Sequence, residues 1–317
     1  MSEPRAVSFP NQKGQKLFGT LHLPPAGAPQ KPCVVLLSPG VKMRVGPGRL
    51  YVPLTEALTA LGHPVLRFDF FGLGDSEGEL SETLLADIYN HIEVGRYVDD
   101  TLAALAWLRS QGHASFLLGG LCGGAITALL AAKRDAAVIG LISLGMTVTL
   151  ASNAATPGKY LTAKQLDGKR NMYLRNLLKL SSLWRFVTFR SDYSTIWHSM
   201  KRLVVKPKAK PVAAAAAGTP GLPPEQRGNA NPLFPPAYFE FLQRGGKVLM
   251  LFSEKDRLWS EYEEKFEVPF AERLKPLAGN IEKHVIASAN HVMALAEWQR
   301  EMVETTRKWL TRTWASS

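Results

Sequence analysis

Cysteine is scarce in these 317 residues. There are two, Cys33 and Cys122, too few for a disulfide framework, which points to a reducing compartment. Long apolar runs are scarce too. Ala114–Ala132 and Ala136–Gly158 carry no charge, but Gly, Ser, Thr or Asn interrupts both. They read as buried strands and strand-to-helix turns, not membrane spans. The N-terminal stretch Met1–Lys16 lacks the basic-then-apolar pattern of a secretory leader, so a cytoplasmic protein without a transmembrane segment is expected. No His, Cys and carboxylate group has metal-ligand spacing, and Gly72-x-Gly74 is too short for a nucleotide fingerprint. Neither metal nor organic cofactor is expected. With 46% hydrophobic and 21% charged residues, fibre and wholesale disorder are excluded. The length suits two domains, or one large α/β domain with an insertion.

Acid is missing where base is concentrated. The net charge is +11, from 38 Lys/Arg and 27 Asp/Glu. Between Leu150 and Lys210 there are 13 basic and 2 acidic residues; the remaining 25 and 25 (38 less 13, 27 less 2) balance. A charge confined to one segment argues against a nucleic-acid-coated protein and for one positive face with a specific or electrostatic partner. A solvated helical surface is the plainer alternative.

What is present is an alternation of strands and helices. Ala6–Phe9 and Leu17–Leu23 read as strands about a turn at Lys13-Gly14. Cys33–Ser38 is an apolar run suited to a strand buried on both faces. Val65–Phe70, Phe116–Gly119, Ala137–Leu144, Lys247–Phe252 and Ile281–Ile286 read as further strands. Leu50–Leu61, Val94–Ser110, Ala125–Lys133, Tyr238–Arg244, Ser260–Leu274 (interrupted at Pro269) and Met293–Trp309 read as helices. The rhythm predicts an α/β fold: a mostly parallel central sheet with helices on both faces. It lapses after Met146. Residues 150–237 therefore read as a helical, basic cap inserted between a first core part, 1–149, and a second, 238–317. Within the cap, 206–236 is rich in Pro, Ala and Gly and reads as a flexible segment.

The chemistry centres on Phe116-Leu117-Leu118-Gly119-Gly120-Leu121-Cys122-Gly123-Gly124-Ala125-Ile126: strand, Gly-x-Cys-x-Gly, helix. The turn strains its central residue, and the flanking glycines remove the Cβ atoms that would hold strand and helix apart. A small cysteine packed in a tight turn is the bland alternative. For Cys33, at the start of a core strand, inert packing is the default.

This segment resembles the nucleophile elbow of the α/β-hydrolase superfamily, and the resemblance covers residues 1–150 and 238–317. The stretch Arg67-Phe68-Asp69-Phe70-Phe71-Gly72-Leu73-Gly74-Asp75-Ser76-Glu77-Gly78 looks like the serine-aminopeptidase-type branch. The loop Val41-Lys42-Met43-Arg44-Val45-Gly46 and the Gly-Leu-Cys elbow are similar to exosortase A system-associated hydrolases, some of which carry Cys at the elbow. Dienelactone hydrolases also use Cys, but the cap and the Asp-Ser loop do not suggest one. The resemblance implies the chain order nucleophile, acid, base. Past the strand Val248–Phe252 comes Ser253-Glu254-Lys255-Asp256; past the last strand comes Ser288-Ala289-Asn290-His291. Both are strand carboxyl ends, where α/β sheets place their sites. Cys122, Asp256 and His291 are the expected triad. Glu254 rivals Asp256, and Asp69 and Asp75 are competing acids. The backbone amides of Gly123 and Val41 are the expected oxyanion donors, although this chain has Pro39-Gly40 where many relatives have His-Gly.

A cysteine nucleophile tilts the chemistry. Thiols at helix N-termini beside histidine ionise more readily than free cysteine, and a thiolate attacks carbonyls readily. The acyl-cysteine so formed is a thioester, which reacts well with amines and thiols relative to water. The expected activity is thioester cleavage or acyl transfer on a small-molecule or carrier-bound acyl group. A basic cap would attract an acidic acyl carrier protein or the phosphates of a CoA moiety. Lys42 and Arg44 follow the oxyanion loop and would add positive charge at the mouth; each is otherwise a solvated loop charge. Trp184 and Trp197, with Phe186, Phe189 and Tyr193, would line an acyl pocket or form the cap's own core. The alternatives are a carboxylesterase or lactonase in which Cys replaces Ser, and a degenerate hydrolase fold acting as a binding protein.

Overall fold

The computed structural model describes residues 4–150 and 228–314, residues 26, 29, 30 and 83 excepted. Its strands are β1 (Arg5–Pro10), β2 (Lys16–His22), β3 (Cys33–Leu37), β4 (Val65–Phe68), β5 (Phe116–Leu121), β6 (Val138–Leu144), β7 (Lys247–Ser253) and β8 (Ile281–Ile286). They form one sheet in the order β1-β2-β4-β3-β5-β6-β7-β8. β1, β2 and β4 pair antiparallel, and from β4 to β8 every pairing is parallel.

Helices clothe both faces: α1 (Tyr51–Ala60), α2 (Leu85–Glu93), α3 (Val98–Ser110), α4 (Gly123–Arg134), α5 (Phe234–Gln243), α6 (Arg257–Tyr262), α7 (Ala271–Leu274) and α8 (Ala296–Thr313). Every residue of β3 is buried. Its side chains alternate between two cores. Val34 and Leu36 join Leu54 and Leu58 of α1 and Met302 and Leu310 of α8. Val35 and Leu37 join Leu105 of α3 and Ile126 and Leu129 of α4. None of these helices is long and apolar enough to cross a membrane.

Several element ends differ from the sequence reading, and three differences bear on how the chain closes its core. α5 begins at Phe234, not Tyr238, because Pro235 and Pro236 fill its first turn, where the missing N–H groups would have no helical acceptor. The end of the proline-rich stretch is therefore core. The Leu150 amide donates to the Asn229 carbonyl at 2.8 Å beside a Thr149–Ala230 bridge, so the chain rejoins the core before residue 238. α2, for which no element was expected, buries Ile88 and Ile92, four apart on one helical face. Residues 151–227, which include Trp184, Trp197 and most of the basic excess, lie outside the described residues.

Candidate active site

β3 sits between β4 and β5, so the chain reverses its direction of travel across the sheet there, and the crevice beyond these carboxyl ends is where α/β sheets bind ligands. β5 ends at Leu121 and α4 begins at Gly123. Between them Cys122 has φ 55° and ψ −113°. A left-handed backbone at a residue with a Cβ costs roughly 1–3 kcal/mol and persists only where its surroundings force it. They do so here. A Cβ on Gly120 would lie 2.6 Å from the Gly124 carbonyl carbon, and one on Gly124 would lie 2.6 Å from the Leu37 carbonyl oxygen. Strand, helix and the end of β3 thus meet at backbone distance. The Cys122 amide donates to the Leu144 carbonyl at 2.9 Å, and the amides of Ala125 and Ile126 donate to its carbonyl. The Tyr51 hydroxyl, fully buried, accepts from the Leu121 amide at 2.7 Å and donates to the Leu37 carbonyl at 2.9 Å.

Two loops from the far side of the sheet complete the site. Asp256 follows β7 and caps α6, accepting from the Leu258 amide at 3.3 Å. His291 follows β8. The loops are laced together: the Glu254 amide donates to the Ile286 carbonyl, and the Lys255 amide to the Ala289 carbonyl. Glu254 is tied up in this lacing, its carboxylate accepting from the Ser288 amide at 2.7 Å and pairing with Lys255. Asp256 is the carboxylate that meets the histidine, with His291 Nδ1 and Asp256 Oδ2 2.6 Å apart. A carboxylate accepts, so Nδ1 donates. The hydrogen bond that His291 donates to Asp256, then the interaction with Cys122, raises the His291 pKa from 6.5 to about 10, burial opposing. Cys33, by contrast, is wholly buried and its thiol is pushed far up by burial.

The loop after β3 lies against the start of α4: a Cβ on Gly123 would be 3.2 Å from the Gly40 amide nitrogen. Gly123 is the first helical residue, so its amide has no acceptor within the helix. Val41 is half-buried on this loop and Lys42 is exposed.

Arg44 needs correction as a free charge at the mouth. Its guanidinium pairs with the fully buried Asp69 carboxylate and, at 2.7 Å, with Asp75, while its amide donates to Asp69 Oδ1 at 2.6 Å. Arg44 therefore pins the loop after β3 to the Asp-Ser loop, and Asp69 and Asp75 are occupied there rather than at His291. Tyr51, Tyr89 and Arg257 escaped the sequence reading. Tyr89, on the unexpected α2, sets its ring edge against Gly40. Burial first, then the nearby Cys122, raises its pKa. Arg257 follows Asp256 and pairs with the buried Glu261 at 2.9 Å. The Ile88–Ile92 spacing was the available signal for α2; Tyr51 and Arg257 have no signature beyond their neighbours.

Comparison with known proteins places this architecture. A family model described as the alpha/beta hydrolase family matches residues 34–305. Human monoglyceride lipase is 32% identical over 169 residues, which is 53% of this chain and 50% of that protein, so the match spans about half the length of this curated relative. Among solved structures, an esterase of Pyrococcus furiosus superposes with a TM-score of 0.57 at 17% identity, covering 98% of this chain and 91% of that one. Est1E of Butyrivibrio proteoclasticus, solved with ferulic acid bound, gives 0.55 at 13% identity, covering 98% and 100%. At these identities the structural likeness is one of fold.

Proposed function

Because the chain belongs to the alpha/beta hydrolase family, we propose that it cleaves or transfers the acyl group of an ester or thioester through an acyl-Cys122 intermediate. One observation carries this reading: His291 Nδ1 lies 2.6 Å from Asp256 Oδ2, and Asp256 and Cys122 together favour the ring's protonated form. A ring that keeps its proton to about pH 10 enters the reaction as imidazolium, ready to give that proton to the leaving atom.

The steps follow from that pair. Cys122 Sγ attacks the acyl carbonyl carbon, and the carbonyl electrons move onto oxygen. The amides of Gly123 and Val41 are the proposed donors to that oxyanion; one such donor is typically worth roughly 3–4 kcal/mol of barrier. The tetrahedral adduct collapses, the bond to the leaving oxygen or sulfur breaks, and His291 gives that atom its proton. The neutral ring then takes a proton from water or another acceptor, which attacks the thioester and releases the acyl group, regenerating the ion pair. Asp256 keeps the ring oriented throughout and stabilises its charged form.

Sulfur favours thioester donors, and the 13 basic residues against 2 acidic ones between Leu150 and Lys210 suit an acidic acyl carrier protein or a CoA phosphate. A second reading, plain carboxylester hydrolysis, is favoured by the 32% identity to a protein named monoglyceride lipase. Intact-protein mass spectrometry after incubation with acyl-thioester and activated-ester donors tests the mechanism and separates the readings. A donor-specific mass gain, lost in Cys122→Ala and slowed in His291→Ala, is expected. An adduct that survives in Cys122→Ala overturns the nucleophile.

A further inference from the structure

A second recess lies away from Cys122, between the antiparallel end of the sheet and α1. Its walls are mostly apolar: Pro25, Val45, Val52 and Ala60. Its floor is basic. Arg67, on β4 and paired in register with Thr20 of β2, is 6% exposed. One guanidinium nitrogen lies 3.1 Å from His22 Nε2. A guanidinium only donates, so His22 accepts there and carries its own proton on Nδ1. The other two, Nε and Nη1, are buried without any acceptor.

A buried guanidinium with two unanswered donors is costly. Here it is aggravated by like charge: burial, then Arg44 and Arg49, press the Arg67 pKa down. Arg49 lines the same recess, exposed and without an ion-pair partner among the described residues. Glu56 is the sole acid among the described lining residues, and it stays beyond ion-pairing reach of Arg67. The recess therefore offers donors and positive charge beneath hydrocarbon walls. Water would satisfy the donors but not the charge or the apolar wall.

We propose that this recess between β2, β4 and α1 is a binding site for a small amphiphilic anion, its oxyacid head against Arg67, His22 and Arg49 and its hydrocarbon tail along Val45, Val52 and Ala60. The site is independent of the acyl chemistry at Cys122. A carboxylate and a phosphate monoester share the required head chemistry.

Calorimetric titration of the full chain, with Cys122 first blocked by iodoacetamide, tests it. The probes are decanoate, decyl phosphate, decanol and inorganic phosphate. One of the two amphiphilic anions is expected to bind at least tenfold tighter than both decanol and inorganic phosphate, and which one does so identifies the head group. Arg49→Ala is expected to weaken that binding about tenfold, and Glu56→Gln to tighten it severalfold. Both changes lie on exposed side chains, so neither depends on tolerating Arg67→Met, which removes the buried charge outright. Affinity for decanol equal to that for the anions, or anion affinity unmoved in Arg49→Ala and Glu56→Gln, overturns the proposal. Inorganic phosphate binding as tightly as decyl phosphate overturns the role of the tail.

Discussion

The Tyr51 hydroxyl accepts a hydrogen bond from the amide of Leu121, the residue immediately before Cys122, at 2.7 Å. Its own proton goes to the Leu37 carbonyl at 2.9 Å, at the end of β3 where the Pro39-Gly40 loop begins. One phenol therefore fixes the spacing between the two backbone segments that the proposed mechanism brings to the reacting carbonyl.

Removing that oxygen leaves a buried donor and a buried acceptor unpaired, at about 1–3 kcal/mol each. Tyr51→Phe is expected to lower the thermal midpoint by several degrees. It is also expected to reduce kcat on an activated ester while leaving KM near its wild-type value. A loss of stability with kcat unchanged would confine Tyr51 to packing.

The pH behaviour follows from His291. Its folded-state pKa, about 10, exceeds the ordinary 6.5. The folded protein thus holds this proton more tightly than the unfolded chain does. The associated stabilisation is complete below pH 6.5 and disappears as the pH rises through about 10. Acyl transfer that needs the imidazolium proton should fall along the same alkaline limb. Asp256→Asn removes the largest cause of the shift, so the limb should move down toward 6.5. Rate profiles and an NMR titration of the His291 ring measure this, and a limb that stays near pH 10 in Asp256→Asn would remove the acid from its role.

Arg44 and Lys42 separate by stability. Arg44→Ala leaves the fully buried Asp69 carboxylate without its counter-ion, a change of the kind that costs about 3–5 kcal/mol. Backbone donors from Arg44 and Asp75 remain on Asp69, which places the expected loss at the lower end. Lys42→Ala, at an exposed side chain, should leave the urea midpoint unchanged. Equal midpoints for both variants would show that the Arg44–Asp69 pair does not hold the loop.

The elbow admits a change of chemistry more readily than a change of neighbour. Cys122→Ser keeps the Cβ and alters one atom, so the fold should persist while iodoacetamide labelling at this position is lost. Gly124→Ala drives a methyl to 2.6 Å from the Leu37 carbonyl oxygen, and overpacking of this kind typically costs about 1–3 kcal/mol. Denaturant unfolding of the two variants should therefore differ clearly, with Gly124→Ala the less stable.

How far the sequence could be read depended on whether the signal was local. β3 was legible to within one residue because a strand buried on both faces is a short apolar run with polar ends; β8, an edge strand of mixed residues, was legible to the residue from its flanking Asn280 and Ala287-Ser288. The elbow was legible because Gly120 and Gly124, two positions either side of Cys122, are a steric requirement written locally in the sequence. Asp256 and His291 were reachable because the resemblance gave their order and the strand ends gave their places. α2 escaped because its buried face is two isoleucines and its ends, Leu84 and Val94, are exposed apolar residues that blur the pattern. Arg44 was misjudged because its partner, Asp69, is twenty-five positions away and becomes visible as a partner only in three dimensions. The start of α5 is hidden in the sequence because prolines read as breakers, though in a first turn they are compatible with a helix.

The pairing of β6 with β7 joins Gly140 to Lys247 and Leu144 to Leu251. During synthesis, at roughly 5–20 residues per second, β6 leaves the ribosome several seconds or more before its neighbour does. Throughout that interval the β6 edge lacks the one strand that pairs with it on that side among the described residues, and an uncovered parallel edge is of the kind that templates aggregation. It also already carries Cys122, while Asp256 and His291 have yet to be made. The nascent molecule is thus at its stickiest before its three-residue site can exist, and β7 closes the vulnerable edge while its following loop delivers Asp256 to that site.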